Sequence, residues 1–388
     1  MEASRGASHV YGIERHTLCL ASVAGDSLRS RFALGTLGIT EPSEIHLVDF
    51  DSDENALSSV VYKHSRGIRA LASATWAADQ LLVVHNAPAA PPAELVRLAR
   101  VPDDLASSQD ALEQSTAVVA TLDSPSAEPQ PPHAAVCHPA SYCQTAAIVS
   151  ASSVRVWEFA QAAPAQTHAI LAPRNAMDDI EALAWHPAAA AQLSTADGMC
   201  VRSWDMRADP RSQQTMAIEY AHSGKCRALD YNPNLPYILA TAGDDGSVRL
   251  WDARCPAAPL MEIANHTHWI YSVAFNPNHD QLLLSAGADG LVNLESAVSA
   301  SSARVVAGMG ESSGLESDAE DEAASVRSQD DVLEKPNDGL VAQYDDHETS
   351  VYAARWSNAD PWVFASLSFD GRLVINTVPQ KEKYKILL

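Results

Sequence analysis

A recurring histidine constrains this chain more than any other feature. Three segments align without gaps: HSGKCRALDYNPNLPYILATAGDDGSVRLWDAR from His222, HTHWIYSVAFNPNHDQLLLSAGADGLVNLES from His266, and HETSVYAARWSNADPWVFASLSFDGRLVINTV from His347. Ten residues after each histidine stands Asn232, Asn276 or Ser357. An apolar run follows, then a small-residue step (Ala242-Gly243, Ala286-Gly287, Leu367-Ser368) and an Asp-Gly pair at 245, 289 and 370. Only the first segment then reaches Trp251-Asp252; the others carry Glu295-Ser296 and Asn376 there. The first two histidines are 44 residues apart, and the next interval of 81 is nearly two periods with an insertion.

Weaker copies precede these. Residues 178–207 keep Asp197-Gly198 and Trp204-Asp205, with Ala176 at the histidine place. Residues 137–159 end in Trp157-Glu158, and a further copy starts at His64 and decays after it. The most N-terminal copy is only a strand pattern, RFALGTLG and then EIHLVDFD. A period of 40 to 45 residues with short strands and Trp-Asp is the signature of WD40 β-propellers. Alternation such as Ser247-Val248-Arg249-Leu250-Trp251 suits a strand with two unlike faces, and Asp-Gly is a tight-turn signal. The expectation is an all-β fold: one seven-bladed propeller over 1–388, closed by HVYGI (9–13) beside the last blade, since closure removes open sheet edges. The terminal KYKILL is either a last strand or a docked tail.

In the best copy, His222 is expected to bridge Asp245 and the Thr241 hydroxyl, which in turn reaches the Trp251 indole. His266, Ser285 and Asp289, and His347, Ser366 and Asp370, repeat the arrangement. Histidine, serine and aspartate together suggest a catalytic triad. Their recurrence at one spacing in three blades instead argues for a structural network, with Glu295 and Asn376 marking degenerate blades.

Composition excludes several classes. The net charge of -23 lacks the basic footprint that nucleic acid or an anionic membrane surface requires. No apolar run has the length of a membrane span, and MEASRGASHVYGIERH has no signal-peptide core, so a soluble cytoplasmic protein is expected. Six cysteines form no C-x-x-C pair; Cys137 and Cys143, with His133 and His138 nearby, are too loosely spaced for a zinc site. No Gly-rich phosphate loop, His-Glu-x-x-His or Gly-x-Ser-x-Gly motif occurs, and His46, His85, His168 and His186 stand isolated. No catalytic residue, cofactor or metal is expected.

Two stretches do not read as blade. Residues 101–133 are an acidic and Pro-rich insertion within an N-terminal blade, containing one outer strand at Thr116–Leu122. Residues 297–340, with the core GESSGLESDAEDEAASVRSQDDVLEKPNDG, cannot bury enough apolar surface to offset their ordering entropy. They are expected to be a disordered acidic loop between the last two blades. Ser317 in ESDAEDE suits an acidophilic kinase.

The C-terminal SVYAARWSNADPWVFASLSFDGRLVINTVPQKEKYKILL closely resembles the end of the EARP and GARP complex-interacting proteins, the TSSC-type WD repeat family. So do HDQLLLSAGADG at 279–290, HVYGIE at 9–14 and EIHLVDFD at 44–51, and the acidic loop matches in place and character. The region 72–135 departs most, being alanine- and proline-rich. The resemblance implies a non-enzymatic scaffold that binds the EARP and GARP tethering complexes in endosomal recycling and endosome-to-trans-Golgi retrograde transport. It implies a protein peripheral to those membranes through its partners; the oligomeric state is left open, with a monomer as the expectation. The loops after the histidines would supply contacts through Lys225, Arg227, Trp269, Tyr271 and Tyr352. The alternative is an adaptor of another machine, a ubiquitin-ligase substrate receptor or a cargo-targeting receptor, suggested by the Trp-Asp-x-Arg pieces ending in Arg207 and Arg254.

Overall fold

The computed structural model describes residues 8–38, 42–85, 92–98, 114–122, 132–140, 142–150, 153–160, 164–171, 179–209, 212–303 and 337–387. Within them, 28 strands form seven four-stranded antiparallel blades around a central channel. The chain is therefore a seven-bladed propeller, as the repeat requires.

Alternation in the sequence sets the packing. In the fifth blade the second strand, Ile238–Gly243, is buried throughout, because both its faces meet a neighbouring sheet. Ile238, Ala240, Val248 and Leu250 pack on Ile270, Val273, Phe275 and Leu283 of the sixth blade. Similar clusters fill the seams between the other blades, so the core is a ring of sheet-on-sheet contacts. The glycine of each clean Asp-Gly pair has positive φ (+72° at Gly246, +78° at Gly290, +88° at Gly371), which only glycine adopts freely.

The residue ten places after each histidine has a defined task. Asn232 Oδ1 accepts from the backbone N–H groups of Asn234 and Leu235 at 2.9 and 2.8 Å, and Asn276 Oδ1 does the same for Asn278 and His279. Ser357 Oγ takes this place in the last blade. Their donor ends reach the following blade: Asn232 to Asp280 at 3.0 Å, Asn276 to the Pro361 carbonyl at 2.6 Å, Ser357 to Ser30 at 2.9 Å. A side-chain Asx turn thus doubles as a clamp between sheets.

The ring closes where expected. His9–Gly12 runs antiparallel to Arg372–Thr377 with His9 opposite Ile375, making the fourth strand of the seventh blade. Leu20, Phe32 and Leu34 of the first blade bury against Leu373 and Ile375 across this seam. A Cβ at Gly371 would collide with the carbonyl oxygens of Ile13 and Arg15, so glycine is required there for closure as well as for the turn.

Several details differ from expectation. Gly339–Tyr344 pairs with Val292–Ser296, so the acidic insertion lies inside the sixth blade, before its outer strand, rather than at the junction of the last two. Its near end is held by Asp280, which accepts from Ser302 N and Oγ at 2.8 and 2.6 Å. Asp338 on its far end accepts from Ser299 N at 2.9 Å. Residues 304–336, Ser317 among them, lie outside the described residues, as do 101–113 and 123–131 around the outer strand Gln114–Leu122. Of the two alternatives for the terminal KYKILL, the docked tail holds, in helical form: Gln380–Leu387 is a helix starting after Pro379, with Ile386 packed near Trp362 and Val378. The outer strands of the first two blades also pair in parallel at Tyr62–Lys63 and Gln114–Ser115, fusing them into one eight-stranded sheet.

Candidate partner-binding face

The histidines and Asp-Gly turns lie on one face of the ring, here the upper face. In the fifth blade His222 Nδ1 is 2.9 Å from Asp245 Oδ1 and its Nε2 is 2.8 Å from Thr241 Oγ1. Trp251 Nε1 donates to the same hydroxyl at 2.9 Å. The His222 ring holds the Asp245 carboxyl well below the usual carboxylate range, against the opposing effect of burial. In the sixth blade His266 repeats this with Asp289 at 2.9 Å and Ser285 at 2.9 Å. The seventh differs: His347 Nε2 meets Ser366 at 2.7 Å, but its Nδ1 meets Ser368 at 3.0 Å, and Ser368 passes the link to Asp370 at 2.5 Å. In the fourth blade Trp204 still donates to Thr195 at 2.9 Å.

The hydroxyls of Thr241, Ser285 and Ser366 are fully buried beneath the turns, so the hydrogen bonds of these groups are spent on holding each blade together. Glu295 occupies the indole's position in the sixth blade, fully buried, its Oε1 accepting from Asn265 at 3.3 Å and its Oε2 without a partner. Burial pushes its carboxyl up to about 7.

The clamps present a different set of side chains at the mouth of the channel. Arg227 lies over Trp269 at 4.9 Å and over Tyr271 at 5.6 Å. Tyr271 stacks on Tyr352 at 4.6 Å, and Tyr352 approaches Phe369 at 5.9 Å. Phe369 stacks on His16 at 4.5 Å, so an aromatic arc runs from the fifth blade to the first. Arg227 is braced by Asp244, with Nη2 to Oδ2 at 3.2 Å, and lies 4.0 Å from Glu181. Lys225 bonds Glu181 at 2.9 Å, which raises the pKa of its ammonium. Trp269 is 41% exposed despite its size. Arg69, Arg227 and Arg355 line the same mouth, with Glu181 and His133.

Of the five residues singled out, Arg227, Trp269, Tyr271 and Tyr352 come together, while Lys225 joins only through Glu181. Phe369 and His16 were missed. Phe369 directly precedes Asp370-Gly371, the place held by Asp244 and Ala288 in the two preceding blades, so the repeat alignment carried the signal. His16 comes from the opposite end of the chain and meets Phe369 only through ring closure.

The Trp-Asp-x-Arg arginines fold back on their own blades. Arg254 forks onto Asp252 at 2.9 and 2.6 Å and covers the Tyr237 ring at 3.5 Å, and Arg207 grips Asp205 at 2.7 Å. Among the isolated histidines, His46 contacts Glu44 at 3.3 Å and Tyr11 at 3.0 Å, and His186 caps the backbone of Ala188. His85 is not isolated: its Nε2 lies 3.1 Å from that of His64. The side chain of His168 lies outside the described residues. All six cysteines are free thiols. Among the described residues, no helix is long and apolar enough to cross a membrane.

Comparison with known proteins agrees with this architecture. Residues 5–294 match the family model described as the EIPR1 beta-propeller, and residues 339–375 match the WD domain, G-beta repeat. The chain is 33% identical to the EARP and GARP complex-interacting protein 1 of Homo sapiens, covering 98% of each chain. It is 32% identical to the EARP-interacting protein homolog of Gekko japonicus, again over 98% of each. The WD repeat-containing protein DWA2 of Arabidopsis thaliana is 27% identical over 95% of each chain. These names and the propeller point to a scaffold that binds proteins.

Proposed function

The chain belongs to the EIPR1 beta-propeller family, and we propose that it is a non-enzymatic adaptor that binds a tethering complex of the EARP or GARP type. It would serve endosomal recycling and endosome-to-trans-Golgi retrograde transport from the cytoplasm, held at those membranes by its partners. The observation that carries this reading is the arc of Arg227, Trp269, Tyr271, Tyr352 and Phe369 at the channel mouth. Aromatic and arginine side chains dominate the energetics of protein interfaces, and here they are pre-ordered by stacking rather than left to adapt. The clamps beneath them supply rigidity. Arg69, Arg227 and Arg355 make the mouth locally cationic within an acidic chain, which suits a partner segment combining acidic and apolar residues. Ligase docking through Arg207 and Arg254 is less favoured, because both guanidinium groups are engaged within their own blades.

Affinity purification of the tagged full chain at native levels, read by quantitative mass spectrometry, tests the reading. All subunits of one tether should be recovered near stoichiometry. Recovery of a cullin adaptor or a cargo machine without tether subunits would overturn it. In the same experiment, a Ser317→Ala chain shows whether the acidic insertion regulates the contact.

A further inference from the structure

The second blade has the histidine of the clamp but neither the Asp-Gly turn nor the tryptophan. Two further groups, His85 and Glu94, join that histidine, His64, in the space. His64 ends the outer strand Ala56–His64 of the first blade, His85 ends Gln80–His85 of the second, and Glu94 lies on the adjoining strand Ala93–Leu98. The two Nε2 atoms are 3.1 Å apart, and Glu94 Oε2 is 3.8 Å from that of His85. One nitrogen or oxygen from each residue lies within 4.8 Å of the other two, and all three side chains are buried. We propose that His64, His85 and Glu94 bind a divalent transition-metal ion of the zinc class, which clamps the first two blades where the usual clamp is missing.

Four observations support the assignment. Two imidazoles and one carboxylate are the donors zinc takes in three-residue sites. Nitrogens bound to zinc at about 2.0 to 2.1 Å stand roughly 3.3 Å apart at the corners of a tetrahedron, close to the separation here. The supporting shell also fits. His64 Nδ1 is 3.2 Å from Thr116 Oγ1, whose own hydroxyl points to the Lys63 carbonyl at 3.5 Å. Thr116 Oγ1 thus accepts a hydrogen bond from Nδ1–H and leaves the His64 Nε2 lone pair facing His85, the arrangement that orients metal-bound histidines. Finally, the donors come from three strands, and Thr116 lies on a fourth. They meet beside the parallel pairing of Tyr62–Lys63 with Gln114–Ser115 that fuses the two blades. Arg66 is 3.9 Å from Glu94 Oε1, leaving Oε2 to face the histidines. The competing arrangement is a His85 N–H donated to His64, with no ion.

The full chain, stripped with a chelator, is titrated with Co²⁺ and then Zn²⁺. The expected result is one ion per chain, with ligand-field absorption but no thiolate-to-metal charge-transfer band, and a zinc-dependent rise in Tm. His85→Ala and the milder Glu94→Gln should each weaken binding by at least about tenfold, with circular dichroism confirming that each variant is folded. Thr116→Val should weaken it less. Absence of stoichiometric binding would overturn the site in favour of the His64–His85 hydrogen bond. So would a thiolate band showing that the cysteines hold the ion, or unchanged affinity in folded Glu94→Gln.

Discussion

Replacing Glu295 by Gln should make the protein more stable at neutral pH, and the gain should vanish in acid. Glu295 stands where the fifth blade has Trp251, fully buried, with one long hydrogen bond from Asn265 and Oε2 unpartnered. Asn265, His266 and Ser285 offset this burial only in part, since the Nδ1 of His266 serves Asp289 and its Nε2 faces Ser285. Burial lifts the carboxyl from 4.5 to about 7. A group whose pKa is higher in the folded chain binds more protons there, so stability falls as pH rises between the two values. The contribution is complete below 4.5 and is lost as pH passes through about 7. At roughly 1.4 kcal/mol per pKa unit, the ionised carboxylate costs the fold about 3 kcal/mol. Glutamine keeps the shape and stays neutral. Urea unfolding of both proteins from pH 4.5 to 8.5 should show a stability difference that grows over this window and levels above it. A difference independent of pH, or a glutamine variant less stable at pH 8, would refute the reasoning.

Other outcomes follow from the clamps and the closure. Thr241→Val leaves His222 Nε2 and Trp251 Nε1 both buried and unpaired. At about 1 to 3 kcal/mol per orphaned group it should cost about 2 to 6 kcal/mol in urea unfolding, more than Thr195→Val, which orphans only Trp204. Gly371→Ala should lower Tm more than Gly290→Ala. Both positions have positive φ, but only at Gly371 does a Cβ collide with backbone, the carbonyl oxygens of Ile13 and Arg15 just after the closing strand, whereas at Gly290 the nearest atom is an ordinary 3.4 Å away.

The fold was legible where each residue's task is local. Histidine, hydroxyl, aspartate and glycine act within one blade, at one spacing, so three clean copies were enough to define the period. Asn232, Asn276 and Ser357 stood out by position, although their reach into the next blade shows only in three dimensions. The closing strand could be inferred because a ring must close to remove its open sheet edges, and HVYGI alternates as a strand does. The place of the acidic insertion was misjudged because Gly339–Tyr344 follows it directly and, without its pairing to Val292–Ser296, reads as part of the next unit. Gln380–Leu387 was hidden because a short apolar run after a proline fits a strand as well as a helix. Contacts between distant segments left no pattern. Phe369 and His16 meet only once the ring is closed, and His64, His85 and Glu94 only across fused blades. The aromatic arc was partly visible because Arg227, Trp269, Tyr271 and Tyr352 all follow a repeat histidine.

Engagement of a tethering complex through the upper mouth is the proposal on which the functional reading depends. The most direct measurement is the affinity of the purified full chain for a purified EARP complex by biolayer interferometry. The unaltered chain is run beside a folded Arg227→Glu, Trp269→Ser variant and a Lys383→Glu control on the C-terminal helix. The unaltered chain should bind, the upper-mouth variant at least about tenfold more weakly, as expected for central aromatic and arginine anchors, and the control without change. No binding by the unaltered chain, or equal binding by the upper-mouth variant, would contradict the proposal.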